Sequence, residues 1–147
     1  QKDLWGIRVD FLNRPIINSR IDKLYPSGFF LEDYKERRCI IPASFFFEWK
    51  KSGKANTRYE IGIQEESYFY LGGLYRYNEE GKKEISILTL DSFGEMGSIH
   101  HRMPVVLNPE EGDFFLEENH ENLYQKLIEK KPDFFFRQKD PEQLNFL

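Results

Sequence analysis

The sequence predicts an α+β domain built mostly from antiparallel strands. Three observations lead there. Between residues 38 and 90, four segments rich in aromatic and β-branched residues follow one another, joined by short polar loops of hairpin type. The helical signals are few, short and confined to the flanks of those strands. No repeat and no low-complexity linker divides the 147 residues, a length that suits one domain with its own core.

Taken in order, Trp5-Gly6-Ile7-Arg8-Val9 alternates enough for a short strand, and Pro15 opens an extended segment through Ile16-Ile17-Asn18-Ser19-Arg20. Tyr25-Pro26-Ser27-Gly28 is turn chemistry, and residues 29–36 are expected to form a short helix with Ser27 as its cap. Residues 38–49 carry the strongest strand signal. Pro42 inside it calls for an edge, a bulge or a break. Alternation in its second part puts Phe45, Phe47 and Trp49 on one face and Ser44, Phe46 and Glu48 on the other. Lys50-Lys51-Ser52-Gly53-Lys54 reads as a basic turn. Strands are expected over 58–63, 68–75 and 84–90, with 64–67 and 78–81 as hairpin loops.

Residues 91–103 are expected to hold a short helix whose last turn carries His100 and Arg102, ended by Pro104, with Val105-Val106-Leu107 as the next strand. Asn108-Pro109-Glu110-Glu111 is a helix start, with Asn as cap, Pro at the first position and Glu three after the cap. Residues 119–131 form a second helix with Leu123 and Leu127 one turn apart, stopped by Pro132.

With 14 Phe and 8 Tyr, burial is led by aromatics. No run of 18 apolar residues is present, so no transmembrane helix is expected and no membrane partner, and a cytoplasmic protein fits best. The single cysteine, Cys39, excludes an internal disulfide and any multi-cysteine metal site. A net charge of −4 gives no overall attraction to nucleic acid, although phosphate contacts are local and a basic groove remains compatible with it. The sequence opens at Gln1 rather than Met and runs straight into Leu4-Trp5-Gly6. It is therefore expected to be a single domain over 1–147 that lacks its N-terminal segment.

Ile99-His100-His101-Arg102-Met103-Pro104 is the most informative motif, because it sets a proton-transfer group and an anion-binding group at one corner between core elements. Each candidate also has a plain structural reading. His100 can satisfy a helix end, Glu48 can be a solvated acid beside Lys50 and Lys51, and Asn18 can be a turn residue. Arg20 and Arg102 read singly are surface charges, Trp5 and Trp49 are core aromatics, and Cys39 is a small buried hydrophobe. His101 and His120 read as surface residues.

Four segments together resemble the SOS response-associated peptidase (SRAP) family, in order and in spacing, over residues 5–107. They are Trp5-Gly6-Ile7, Asn18-Ser19-Arg20, Arg38-Cys39-Ile40-Ile41-Pro42-Ala43-Ser44-Phe45-Phe46-Phe47-Glu48-Trp49, and Ile99-His100-His101-Arg102-Met103-Pro104-Val105. Gly73-Leu74-Tyr75 and Ile87-Leu88-Thr89 resemble its intervening strands. The resemblance implies a barrel-like β-sheet with a few short peripheral helices. It also implies a monomer, nucleoid-associated when bound to DNA, whose partner is single-stranded DNA containing abasic sites.

In that family the amine and thiol of an N-terminal cysteine add to the ring-opened abasic sugar and leave a thiazolidine crosslink. The same site is credited with autoproteolytic peptidase activity, and no cofactor or metal is needed. By resemblance the catalytic residues are Asn18, Glu48 and His100, and the DNA-binding residues are Arg20, Arg102, Trp5 and Trp49. The residue types suit the task. Partial desolvation between Phe47 and Trp49 favours Glu48 as a general acid or base. An imidazole exchanges protons near neutral pH, and guanidinium forks match phosphate. Stacking surfaces suit splayed bases.

The sequence departs from the family in lacking a cysteine near residue 1, in Ile21 and Asp22, and in Phe46-Phe47. Phe134-Phe135-Phe136 and the surrounding C-terminal region match it poorly and are expected to be altered or frayed. A degenerate, non-covalent single-stranded DNA-binding module is the alternative reading. A serine hydrolase using Ser44, Ser92 or Ser98 has no nucleophile-elbow motif behind it.

Overall fold

The computed structural model describes residues 2–139. The strands are β1 (Leu4–Trp5), β2 (Asn18–Arg20), β3 (Arg38–Ala43), β4 (Phe46–Ser52), β5 (Ala55–Ile63), β6 (Phe69–Tyr77), β7 (Lys83–Asp91), β8 (Arg102–Pro104), β9 (Val106–Leu107) and β10 (Phe134–Lys139). The helices are α1 (Leu31–Glu36), α2 (Gly94–Ile99), α3 (Gly112–Glu117) and α4 (His120–Glu129), with single 3-10 turns at Ile21–Lys23 and Pro109–Glu111.

The mixed α+β class and the short helices are as expected, but the barrel-like closure is not formed. Seven strands make one sheet in the order β1-β7-β6-β3, with β2 and β8 also on β7 and β9 on β6. The other three make a separate sheet in the order β10-β5-β4. Most pairings are antiparallel, while β1 and β2 both run parallel to β7. The physical reason lies in the expected break. β3 pairs with β6 from Arg38↔Leu74 to Ala43↔Phe69, whereas β4 pairs with β5 from Phe46↔Ile61 to Ser52↔Ala55. One continuous strand signal thus becomes two strands in two sheets. Pro42 sits on β3, an edge strand, where a missing N–H costs least.

The core lies on both faces of the large sheet, against the small sheet on one and against α3 on the other. Phe46 of the small sheet packs edge-on against Phe69 of the large one at 6.3 Å and against Phe134 at 6.0 Å. Ile21, Ile61, Leu74, Leu88, Met96, Met103 and Phe115 are almost fully buried, with Phe115 against Gly72 on the face of β6 opposite Phe69. Gly6 turns the chain between exposed β1 and buried Ile7 with φ of 103°, and a Cβ there would lie 2.6 Å from the Pro15 side chain. The Asp33 side chain is fully buried and is held by a two-toothed fork from Arg76 at 2.7 and 2.8 Å, with Arg37 at 3.0 Å, which fastens α1 to β6. Arg38 spends its guanidinium on the carbonyls of Tyr34, Phe115, Leu116 and Glu118 and so ties off the ends of α1 and α3.

Several local expectations change. α1 begins at Leu31 without a Ser27 cap, because Phe30 occupies the cap position. The Asn108–Glu111 capping box is present but opens a 3-10 turn, and α4 is capped by the Asn119 side chain through Glu121 N at 2.9 Å. The basic turn narrows to Gly53-Lys54, since β4 runs on through Ser52. His120, expected at the surface, is half-buried, with Nδ1 2.5 Å from the Tyr25 hydroxyl and its ring stacked on Tyr25. Phe134-Phe135-Phe136 is not frayed. It belongs to β10, which pairs along β5 from Phe134↔Ile63 to Lys139↔Arg58 and buries Phe134.

Candidate functional site

The corner after β7 is built from backbone first. Helix α2 ends at Ile99 rather than at the residue before Pro104. His100 N–H closes its last turn on Met96 O at 3.0 Å, and His100 itself is extended, with φ of −148°. Ser92 clamps the exit, its hydroxyl donating to His100 O at 2.5 Å and its N–H to His101 O at 3.0 Å. Arg102 therefore lies in β8 and not in a helix, because Asp91↔Arg102 and Leu90↔Met103 pairing with β7 takes over the chain. His100 Nδ1 sits 3.1 Å from Arg102 N and 3.0 Å from Arg102 O, so either tautomer anchors the ring through that nitrogen. Nε2 has no hydrogen-bond partner among the described residues. The His101 ring stacks on His100 at 4.6 Å.

Arg102 is the centre of an ionic frame. Its guanidinium donates to Asp91 at 2.8 Å, to Asp22 at 2.8 Å and to the Thr89 hydroxyl at 3.0 Å, and only 12 % of the side chain is exposed. Arg20 completes the frame through Asp22 at 2.7 Å but stays half-exposed. Burial alone would raise the Asp22 pKa. The hydrogen bonds from Arg20 and Arg102 outweigh it and hold the carboxyl at about 2. In the sequence Asp22 stood out only as a departure from the family pattern and Thr89 only as part of a strand, and Asp91 was not singled out. The only signal for them was an acid two residues after Arg20 and another at the end of a strand.

β2 sets Asn18 and Arg20 on its exposed side. Ser19 between them turns inward to a 2.6 Å hydrogen bond with Ser86. Across the opening, β4 is the edge strand of the small sheet and carries Glu48. Glu48 is half-buried, and burial raises its pKa, against a smaller opposing pull from His100, the Trp49 N–H and His101. The core reading of the two tryptophans does not hold, since Trp5 is 69 % and Trp49 49 % exposed. The Trp5 indole N–H donates to Ile17 O at 3.2 Å, which orients the ring along β2.

These parts meet in one cleft of about 600 Å³. Asn18, Glu48, His100 and Arg102 line it together with Trp5 and Trp49, on apolar ground that includes Ile17, Phe45 and Met103. Of the residues expected at the site, Arg20 alone is outside the lining, at the far side of Asp22. An apolar hollow of about 230 Å³ beside it shares Trp5, Leu71 and Ile87. Cys39 lies in β3, and burial pushes its thiol up to about 11, so it is not a reactive nucleophile.

Comparison with known proteins decides the family. The family model described as SOS response associated peptidase (SRAP) matches residues 4–139. The chain belongs to the SRAP family. The match runs through β10, further than the sequence segments suggested. Curated relatives include the abasic site processing proteins YobE of Bacillus subtilis, 35 % identical over 116 residues, and YedK of Escherichia coli, 27 % identical over 110. Each of these two alignments covers 72 % of this chain. An abasic site processing protein of Saccharomyces cerevisiae is 32 % identical over 93 residues, 63 % of this chain. The chain spans 53 % of YobE, 50 % of YedK and 25 % of the yeast protein. A solved structure from Bacteroides thetaiotaomicron shares the fold, with a TM-score of 0.80 at 23 % identity over 96 % of this chain and 69 % of that one. A phage-related protein of Bordetella bronchiseptica does so at 0.75 and 22 %, over 92 % and 68 %. Among the described residues no helix is long and apolar enough to cross a membrane.

Proposed function

We propose that this SRAP chain forms the main part of a site that captures abasic sites in single-stranded DNA by a thiazolidine crosslink. The amine and thiol come from a terminal cysteine outside residues 1–147. The observation that carries the reading is the single cleft that gathers an amide, a half-buried carboxyl, an imidazole anchored through Nδ1 and two exposed indoles. The chemistry asks for those groups. Opening of the closed sugar needs a proton moved between its ring oxygen and its hydroxyl, a task for His100. The amine adds to the aldehyde carbon, water leaves, and the thiol adds to the resulting carbon–nitrogen double bond, so that one water is released in all. Glu48, with its raised pKa, holds a proton for the departing oxygen. Asn18 orients the amine without adding charge. Trp5 and Trp49 stack against flanking bases.

Arg20 swings from Asp22 to a flanking phosphate. Arg102 reaches one only by sharing it with Asp22 and Asp91. The relatives' printed names, abasic site processing proteins, agree with this reading. Autoproteolysis at the same site, a role in the DNA-damage response, a monomeric state and a cytoplasmic location, on the nucleoid when DNA-bound, belong to the proposal.

The complete protein, incubated with an oligonucleotide carrying one abasic site, is expected to give a band that survives denaturing electrophoresis. A complex seen only in native gels would replace capture by a non-covalent binding module.

A further inference from the structure

We infer that the outer face of the three-stranded sheet is a second surface for single-stranded DNA, which carries the strand as it leaves the cleft; this rests on the single-stranded DNA reading above. Register assigns the face. Residues directly opposite in an antiparallel ladder share a side. Trp49↔Arg58↔Lys139 and Phe47↔Glu60↔Arg137 are such rows. The contacts agree. Arg58 lies over the Phe47 ring at 4.4 Å, Arg137 over the Phe135 ring at 5.5 Å, and Phe135 packs on Gly62. The other face of the same sheet carries Phe46, Ile61 and Phe134 into the core.

The charge on this face is opposite in sign to that of the molecule. Lys51, Arg58, Arg137 and Lys139 share this face of the ladder with one carboxylate, Glu60, in a chain of net charge −4. Glu60 is buried and is answered by Arg137 at 3.0 Å and Lys139 at 3.6 Å, which leaves a surplus of positive charge facing outward. Cations interleaved with half-exposed rings are what an unpaired strand needs: charge for phosphates and π-faces for bases that no partner strand covers. Residues two apart on one strand stand about 7 Å apart, so Arg137 and Lys139 offer successive anchor points. The face is continuous with the cleft, because Phe45, Phe47 and Trp49 line that opening as well.

The test uses the complete protein and undamaged oligothymidine of about 5 and about 15 nucleotides, lengths at the two ends of a single fold's usual site size. Wild type is expected to bind the longer strand about tenfold more tightly. Lys51→Gln with Lys139→Gln is expected to remove most of that gain, to leave the short strand's affinity unchanged, and to reduce the salt slope for the long strand by about 1.4, or about 0.7 per cation. Glu60 keeps Arg137 in this variant. If it nonetheless fails to fold, Lys51→Gln alone reads the same loss at about half the slope change. A full length gain in the variant overturns the inference. So does a wild type that binds the short strand with no length gain, a result that spares the cleft. A wild type that binds neither length overturns the DNA reading itself.

Discussion

The two walls of the cleft are built on different principles. The wall from the large sheet is ionic and closed: Arg102 is locked between Asp22, Asp91 and Thr89, and the same residue's backbone fixes His100. The wall from the small sheet is an edge strand with no such frame. It offers Glu48 with a raised pKa and rings that stay open to solvent. Fixed charges that satisfy one another position neighbours well and have little left for a ligand. A half-desolvated carboxyl and bare aromatic faces are costly alone and are available for chemistry. On the proposed reading, the ionic wall holds His100 and Asn18 in place, and the small-sheet wall adds the half-desolvated carboxyl of Glu48.

The largest expected effect is on the small-sheet wall. Glu48→Gln should slow crosslinking by about 10²-fold or more, read in a single-turnover denaturing gel. An unchanged rate would take Glu48 out of proton transfer. Stability should move the other way. A raised folded-state pKa means that the folded protein holds this proton more tightly than the unfolded chain. Stability is therefore lost as pH rises through the ordinary Glu value of about 4.3, and fully so above the raised one. Gln escapes that loss. Its urea midpoint should exceed wild type at neutral pH, with the advantage gone below about pH 4.

On the ionic wall, Arg102→Ala should cost about 1–3 kcal/mol in urea unfolding, since it strips partners from Asp22 and Thr89. Arg102→Lys keeps the charge but not the fork and should recover part of it. The sign with pH is opposite to that of Glu48. Asp22 is held down at about 2, so its stabilisation is present above the ordinary Asp value of about 3.9 and is lost as pH falls towards 2. Arg102→Ala should flatten that acid limb. An acid limb as steep as wild type would mean that the ion pair contributes nothing.

Much of this site was legible because the residues that carry it have marked chemistry. Asn18, Glu48 and His100 stand in ordered motifs, and the resemblance gathered them across 82 positions of sequence before any fold was known. The frame was not legible, because Asp22 and Asp91 gain meaning only when β2 and β8 flank β7. Within the fold, alternation found β5, β6 and β7 but could not say that residues 38–49 serve two sheets, since a break at Ser44 changes partners without changing period. β10 was missed for a related reason. Three phenylalanines in a row show no alternation, yet Phe134 faces the core while Phe135 lies over Gly62 on the other side. The tryptophans failed in the opposite direction. Size and hydrophobicity argue for burial, and the cleft keeps them exposed.

Arg20 separates the two principles on a single residue type. It shares Asp22 with Arg102, but it is half-exposed and is paired once, whereas Arg102 is paired twice and almost covered. Exposed pairs contribute little, so Arg20→Ala should leave the urea midpoint within error of wild type. Its guanidinium is the freer of the two to exchange a carboxylate for a phosphate. The salt slope of single-stranded DNA binding should therefore fall by about 0.7, the value of one lost phosphate contact. Arg102→Ala should lower the slope by less, because that charge is already balanced by two carboxylates, while lowering stability by more. If instead the slope fell with Arg102 and not with Arg20, the buried, twice-paired guanidinium would be the one that grips the phosphate.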